Sequence, residues 1–221
     1  MVKTGTGLTG NQLKILAMIA MTCDHVGLQL LPQVGLLRII GRLAMPIYAY
    51  MIAEGCRHTH SRGKYLLRLA GMGALCQAVY FVAMGSLYQC ILVTFSLSVV
   101  LIWLGEKAET GRKWPFLLAL AGGFFLCAVL PEIWTGTDFE IDYGLAGVLL
   151  PVLIYFGGNK GLVMGTVLLA LGYGGDQWFG LLAVPLLLCY NGQRGKARIG
   201  KLFYWYYPAH LAVIYGLSVI L

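Results

Sequence analysis

Asp24 and His25 stand side by side in a largely apolar run, and the next apolar run carries Arg38 and Arg42. An imidazole titrates near neutrality and can take the proton of an attacking amine or hydroxyl. Arg38 and Arg42 are four residues apart and share one helix face. The connection Pro32–Gly35 is tight, so the two runs are expected to lie antiparallel as neighbours. His25 lies as far before Leu31 as Arg42 lies after Leu36, which places them at similar depth. Asp24 can neutralise one arginine; the second cation then suits an anionic group or a developing oxyanion. The plainer reading is a buried ion pair. His210 falls in Phe203-Tyr-Trp-Tyr-Tyr-Pro-Ala-His, mid-way along the last apolar run, where Pro208 removes a backbone bond and kinks the helix. A kinked packing helix with a satisfied histidine is the alternative there.

Other polar residues carry weaker signals. Lys14 precedes His25 by three helical turns, so the two share a face about 16 Å apart along the axis. Lys14 can equally snorkel to the membrane interface. Asp142 and Asp176 mark the ends of apolar runs, as caps or as attractants for a cationic acceptor such as an amine. His58 and His60 form an H-x-H without a third ligand nearby in sequence, so no metal site is expected. Cys23, Cys56, Cys76, Cys90, Cys127 and Cys189 fit no ligand or redox spacing and read as small hydrophobes.

The elements that hold these residues follow from composition. Of 221 residues, 59% are hydrophobic and only 11% charged, with a mean hydropathy of +0.77. A soluble domain carries roughly 25% charged residues, so this chain lacks the charge to clothe a water-facing surface. Disorder, collagen and coiled coils are excluded by the same numbers. An all-α polytopic membrane bundle is expected, with about nine spans of the length needed to cross the hydrocarbon. They are read as Gln12–Leu31, Leu36–Cys56, Tyr65–Gly85, Cys90–Gly105, Pro115–Leu130, Asp142–Phe156, Leu162–Gly174, Trp178–Tyr190 and Leu202–Leu221. The seventh and eighth are short enough to form a re-entrant pair. Short loops leave no room for a soluble domain, so residues 1–221 read as a single membrane domain, without internal repeat or cleavable leader.

Threading those spans with the N-terminus inside puts every Lys and Arg except Arg38 and Arg42 on or near the cytoplasmic side. The positive-inside rule therefore selects N-in, C-out. The net charge of +7 is a topology signal and not a nucleic-acid signal. Oligomeric state is not legible.

The stretches Leu13-KILAMIAMTCDHVG-Leu28, Arg38-IIGRLAMPIYAYMIAEGCRHT-His60, Lys64-YLLRLAGMGALCQAVY, Asp142-YGLAGVLL and Leu202-FYWYYPAHLAVIYGL resemble the TraX family of conjugal-transfer membrane proteins, the pilin N-acetylases. That family looks like a branch of a wider superfamily of membrane acyltransferases, whose O-acetylases carry a basic residue, ten positions and a histidine in the first helix. Lys14 and His25 match that spacing. The resemblance implies acetyl transfer at a bacterial inner membrane, from cytoplasmic acetyl-CoA to an amine or hydroxyl acceptor near the outer leaflet, with the lipid bilayer as surroundings. His25 would be the general base with Asp24 near it, and Arg42 with His210 would hold the oxyanion. Lys14, Arg38, Arg57, Arg62, Lys64 and Lys201 would bind the cofactor phosphates, and Asp142 and Asp176 the acceptor. A proton-coupled transporter using an Asp/His/Arg relay, and a structural subunit of a membrane complex, are the competing classes.

Overall fold

A computed structural model describes residues 7–196 and 200–220, with side chains in the last helix described from residue 205. Helices dominate, and no named strand occurs among the described residues. The chain divides into two compact units, Met1–Met51 with Leu162–Leu221, and Ile52–Gly161. Five helical stretches are long and apolar enough to cross a membrane: Gly35–His58, Arg62–Met84, Ile91–Thr110, Trp114–Ile133 and Gly144–Tyr173. The first helix, α1 (Gly10–Gln29), which carries Lys14, Asp24 and His25, and the last, α10 (Gly200–Ile220), rich in Tyr and Trp, are not among these five.

In the first unit, α1 (Gly10–Gln29) starts at a reciprocal cap, in which Thr9 accepts from the Gln12 amide and Gln12 accepts from the Thr9 amide. α1 packs on α2 (Gly35–Gly41) and on α10 (Gly200–Ile220). Small residues permit the first contact. A Cβ at Gly27 would lie 2.9 Å from Leu37 Cβ, and one at Gly41 would lie 2.2 Å from Asp24 Oδ1. With lipid as solvent, such close backbone approach takes the place of a hydrophobic driving force.

The second expected span is divided. α2 stops at Gly41, Arg42 and Leu43 form a turn, and α3 (Ala44–His58) resumes. Pro46 explains the break: it has no N–H to return to the carbonyl four residues back, which is that of Arg42, and its ring crowds that carbonyl.

In the second unit, α4 (Arg62–Met84), α5 (Ile91–Thr110) and α6 (Trp114–Phe124) follow one another as packed neighbours. Ser61 caps α4, whose Gly85 closes it at φ 65°. A π-helical stretch, Phe125–Val129, joins α6 to the short α7 (Leu130–Ile133). The core of this unit is Ala53, Cys56, Leu69, Val99, Ile102, Val148, Leu150 and Ile154. Outward faces stay apolar: Val82 is 86% exposed and Leu67 72%, an inversion of the soluble pattern that suits lipid contact.

The sixth and seventh expected spans are two helices within the stretch α8 (Gly144–Tyr173), which part where Gly158 adopts φ 56°, ψ −132°. A Cβ at Gly161 would sit 1.8 Å from the Leu153 carbonyl oxygen. In a straight helix residues eight apart are about 12 Å from each other along the axis, so the Gly157-Gly158 turn signal marks a sharp bend. The eighth expected span is a 3₁₀ turn, Gly175–Leu182, leading into α9 (Ala183–Leu188). All six cysteines are free thiols.

Candidate functional site

The first unit brings Asp24, His25, Arg38, Arg42 and His210 into two linked groups. The link is covalent, because Asp24 and His25 are adjacent on α1 and point about 100° apart.

The acidic branch runs from Asp24 to α2. Arg38 Nη1 lies 2.9 Å from Asp24 Oδ1, and Arg42 Nη2 donates to the same oxygen. Gly41 is what lets the carboxylate reach so close to the α2 backbone. Arg38 also donates to the Asp24 carbonyl at 3.3 Å, and Arg42 Nε to the Arg38 carbonyl at 3.3 Å. The expected pairing of one arginine with Asp24 is thus corrected: both engage it, and the excess charge belongs to the trio. Arg42 Nη1 reaches further, donating to Gln177 Oε1 at 3.2 Å. Gln177 sits in the 3₁₀ turn and is 3% exposed. Sequence reading did not single it out. A glutamine in a Gly-rich segment carries no motif, and only the structure sets it beside an intramembrane arginine.

The imidazole branch runs from α1 to α10. His25 Nδ1 and His210 Nε2 are 2.8 Å apart, and His210 Nδ1 is 2.8 Å from the Tyr206 carbonyl oxygen. A carbonyl only accepts, so His210 Nδ1 carries a proton that it donates to Tyr206. In the neutral ring Nε2 is then the acceptor, and His25 Nδ1–H must donate to it. That assignment leaves the lone pair of His25 on Nε2. A proton taken there turns His25 into an imidazolium without altering either hydrogen bond.

Two tyrosines pack the His210 ring. Tyr206 stacks on it with an interplanar angle of 7°, and Tyr207 meets it edge-on with centroids 5.7 Å apart. Thr22 Oγ1 donates to the Met18 carbonyl at 2.9 Å. Its proton is thereby used, so the Tyr206 hydroxyl, also bonded to Thr22, is the donor in that pair. α10 is thus tied to α1 at the imidazole pair and again one turn before it.

The remaining candidates sit elsewhere. Lys14 lies on α1 near the end pinned by Gly10 and Asn11 amides to the Gln193 and Arg194 carbonyls, at 2.8 and 2.9 Å. The side chain of Lys201 lies outside the described residues. In the second unit, Arg57 pairs with Glu54 and donates to the Ile154 and Tyr155 carbonyls, each at 2.8 Å. Arg62 grips Glu106 with Nε at 3.1 Å and Nη2 at 2.7 Å. Lys64 is exposed at the start of α4. Asp142 accepts from the Tyr88 hydroxyl at 2.7 Å, also in the second unit, whereas Asp176 is exposed in the 3₁₀ turn of the first. Nearby, Ser86 Oγ donates to Asp138 at 2.6 Å and the Leu87 amide at 2.8 Å, which together hold that loop carboxyl below its ordinary range. His58 is engaged with Glu54 at 3.4 Å, and no cluster of three metal-ligating side chains occurs among the described residues.

The family model for the TraX protein matches residues 9–218, from the cap of α1 into the last turn of α10. The chain belongs to the TraX family. Curated relatives include a probable fimbrial assembly protein, FimC, of Dichelobacter nodosus, 27% identical over 92% of this chain and 93% of its own. An uncharacterised Rickettsia prowazekii protein is 58% identical over 64% of this chain, and Protein TraX of Escherichia coli is 29% identical over 65%. Those two matches span 52% and 54% of the relatives' own lengths. No solved structure matches. Asp24, His25, Arg38, Arg42, Gln177 and His210 all fall inside the TraX-matched region.

Proposed function

We propose that this TraX-family chain is a membrane-embedded acetyltransferase, moving an acetyl group from acetyl-CoA to an amine or hydroxyl acceptor. The observation that carries the reading is the hydrogen-bond chain from His25 through His210 to the Tyr206 carbonyl. It fixes one tautomer and leaves His25 Nε2 as the basic atom. A histidine buttressed in this way is what a general base requires.

In the proposed reaction His25 Nε2 takes the proton of the acceptor as its nitrogen or oxygen attacks the thioester carbonyl carbon. The carbonyl electron pair moves onto oxygen, beside the cationic Arg38–Arg42 pair. Collapse of that intermediate breaks the C–S bond, and the imidazolium returns its proton to the leaving sulfur. The products are the acetylated acceptor and the free thiol. His210 stabilises the imidazolium by accepting from Nδ1, so its role here is to orient His25; the arginines hold the oxyanion. The basic residues Lys14, Lys64 and Lys201 are proposed to meet the cofactor phosphates, and Asp142 or Asp176 a cationic acceptor.

About nine spans, N-in and C-out placement, and a bacterial inner membrane complete the proposal, supported by the charge layout of the sequence. The fimbrial assembly name of the Dichelobacter relative fits a pilin-like acceptor.

Protein reconstituted in liposomes with labelled acetyl-CoA and a short peptide bearing a free N-terminal amine tests this. His25-dependent appearance of acetyl-peptide and free CoA is the expected result. Proton uptake coupled to solute movement, without thioester cleavage, would replace the enzyme with a transporter.

A further inference from the structure

Gln177 holds one end of its amide and leaves the other without a partner. Its Oε1 accepts from Arg42, while Nε2 is buried with no hydrogen-bond partner. A buried donor left unsatisfied forfeits its hydration without a return, and native proteins keep few of them. The orientation is fixed, because Arg42 has no acceptor: a flipped amide would put donor against donor. The arginine therefore forces Nε2 to remain the open group.

The backbone also packs close beside that nitrogen. Gly180, one turn further along the 3₁₀ segment, has no side chain, and a Cβ built there would lie 3.1 Å from Gln177 Nε2 and 3.3 Å from the Arg42 carbonyl oxygen. Gly180 is itself buried, at negative φ, so its backbone conformation does not demand glycine. A Cβ there would press on the open donor and on the Pro46 ring, 3.6 Å away.

We infer that Gln177 Nε2 is a donor to the acyl carbonyl oxygen of the substrate, acting with the Arg42 guanidinium that aligns it. This rests on the acetyltransferase reading and adds to it the group that recognises the carbonyl. A neutral amide donor held by a cation adds directional polarisation to the arginine's charge. It costs no reorganisation when the oxygen becomes anionic. Gly180 then sets the room left around that oxygen.

The test separates this donor role from simple support of Arg42. Gln177→Glu keeps an oxygen for Arg42 and removes the donor; Gln177→Met removes both. The probe is acetonyl-CoA, the ketone analogue whose carbonyl cannot be transferred, labelled with ¹³C at the carbonyl and bound to the full chain in detergent. Infrared difference spectra should show its carbonyl stretch lowered when bound to the native protein. That lowering should be reduced in both Gln177 variants and in Gly180→Ala, while the analogue still binds. Both Gln177 variants should also lose roughly 10²-fold in kcat for peptide acetylation, the scale of one oxyanion donor. A carbonyl frequency in Gln177→Glu equal to the native value, with native kcat, overturns the donor role and leaves Gln177 as a brace for Arg42. Failure of the native protein to bind acetonyl-CoA at all overturns the underlying acetyltransferase reading instead.

Discussion

Two ion clusters, one in each compact unit, are built from the same residue types and differ in their charge balance. In the second unit Arg62 meets Glu106 through two parallel bonds, and Tyr155 completes the carboxylate's coordination by donating to it. Arg57 is matched by Glu54, and its remaining donors are taken up by two helix carbonyls. Each cation there has its own carboxylate. In the first unit Arg38 and Arg42 share the single carboxylate of Asp24, and Arg42 extends to a neutral amide. A matched fork ties helices together; an uneven trio keeps a surplus positive charge, which on the proposed reading meets the substrate oxyanion. The difference separates scaffold from site more sharply than the presence of buried arginine does.

The largest effect that would break this contrast is at His25. His25→Ala should lower acetyl transfer by roughly 10²–10⁴-fold, the usual range for a lost general base, with the protein still inserted and eluting as native. Radiolabelled acetyl-peptide formation measures it. Native turnover would remove His25 from the reaction and reduce the whole first-unit cluster to packing.

His210 sharpens the comparison from the other side. His210→Ala removes the acceptor for His25 Nδ1–H and frees the ring to take the other tautomer. kcat should fall by about 10²-fold, with KM for acetyl-CoA little changed. His210→Gln offers a side-chain carbonyl to the same N–H and should recover part of the loss. Equal damage from both substitutions would mean that His210 acts by its own proton chemistry and not by orienting His25.

How far these arrangements were legible in the sequence depends on what sets them. Asp24, His25, Arg38, Arg42 and His210 stood out because ionisable groups in apolar runs are expensive and mark function. Their face and approximate depth followed from helical spacing. Partnership did not: His25 and His210 are 185 residues apart in the chain, and periodicity within one helix says nothing of which helix lies opposite. Asp24 read as a partner for one arginine, yet the glycine at position 41 admits it to both. The break at Arg42 was encoded by Pro46, four residues on, but a proline three residues into a helix also reads as an ordinary start. Gln177 was silent because it falls in the gap between the seventh and eighth expected spans, after Gly174 and before Trp178, and a connection carries no face. The Gly157-Gly158 signal was correct: the chain changes direction there, between two helices of α8, because only glycine takes that backbone conformation at no steric cost.

The second-unit cluster should fail differently. Arg62→Ala strips Glu106 of its two-bond partner, and a hydrogen bond to a charged group contributes about 1.5–3 kcal/mol. Partial exposure, 16% for Arg62 and 31% for Glu106, puts the loss at the low end. Thermal unfolding followed by intrinsic fluorescence in detergent should shift down by a few degrees, while kcat of the protein that remains folded is unchanged. A drop in kcat without a shift in unfolding would place catalysis in the unit assigned to scaffold.

The smallest expected effect tests where the cofactor phosphates go. Arg57 and Arg62 spend their guanidinium donors on Glu54, Glu106 and helix carbonyls, so their charge is largely offset where it stands. Lys64 is exposed, one turn into the same region, and an ammonium on a flexible stem can follow a phosphate. Lys64→Gln should therefore raise KM for acetyl-CoA by a few fold, about 1 kcal/mol or less for one exposed charge, and leave kcat alone, the pattern of lost uniform binding. Raising the salt concentration should shrink the difference between native protein and variant, because an exposed charge pair is screened over about 8 Å at physiological ionic strength. Lys64→Arg should restore the native KM, since a cation of similar reach returns. An unchanged KM in Lys64→Gln at low salt would mean that this face of the second unit serves topology alone, and that the phosphates are met by Lys14 and the α1 end of the first unit.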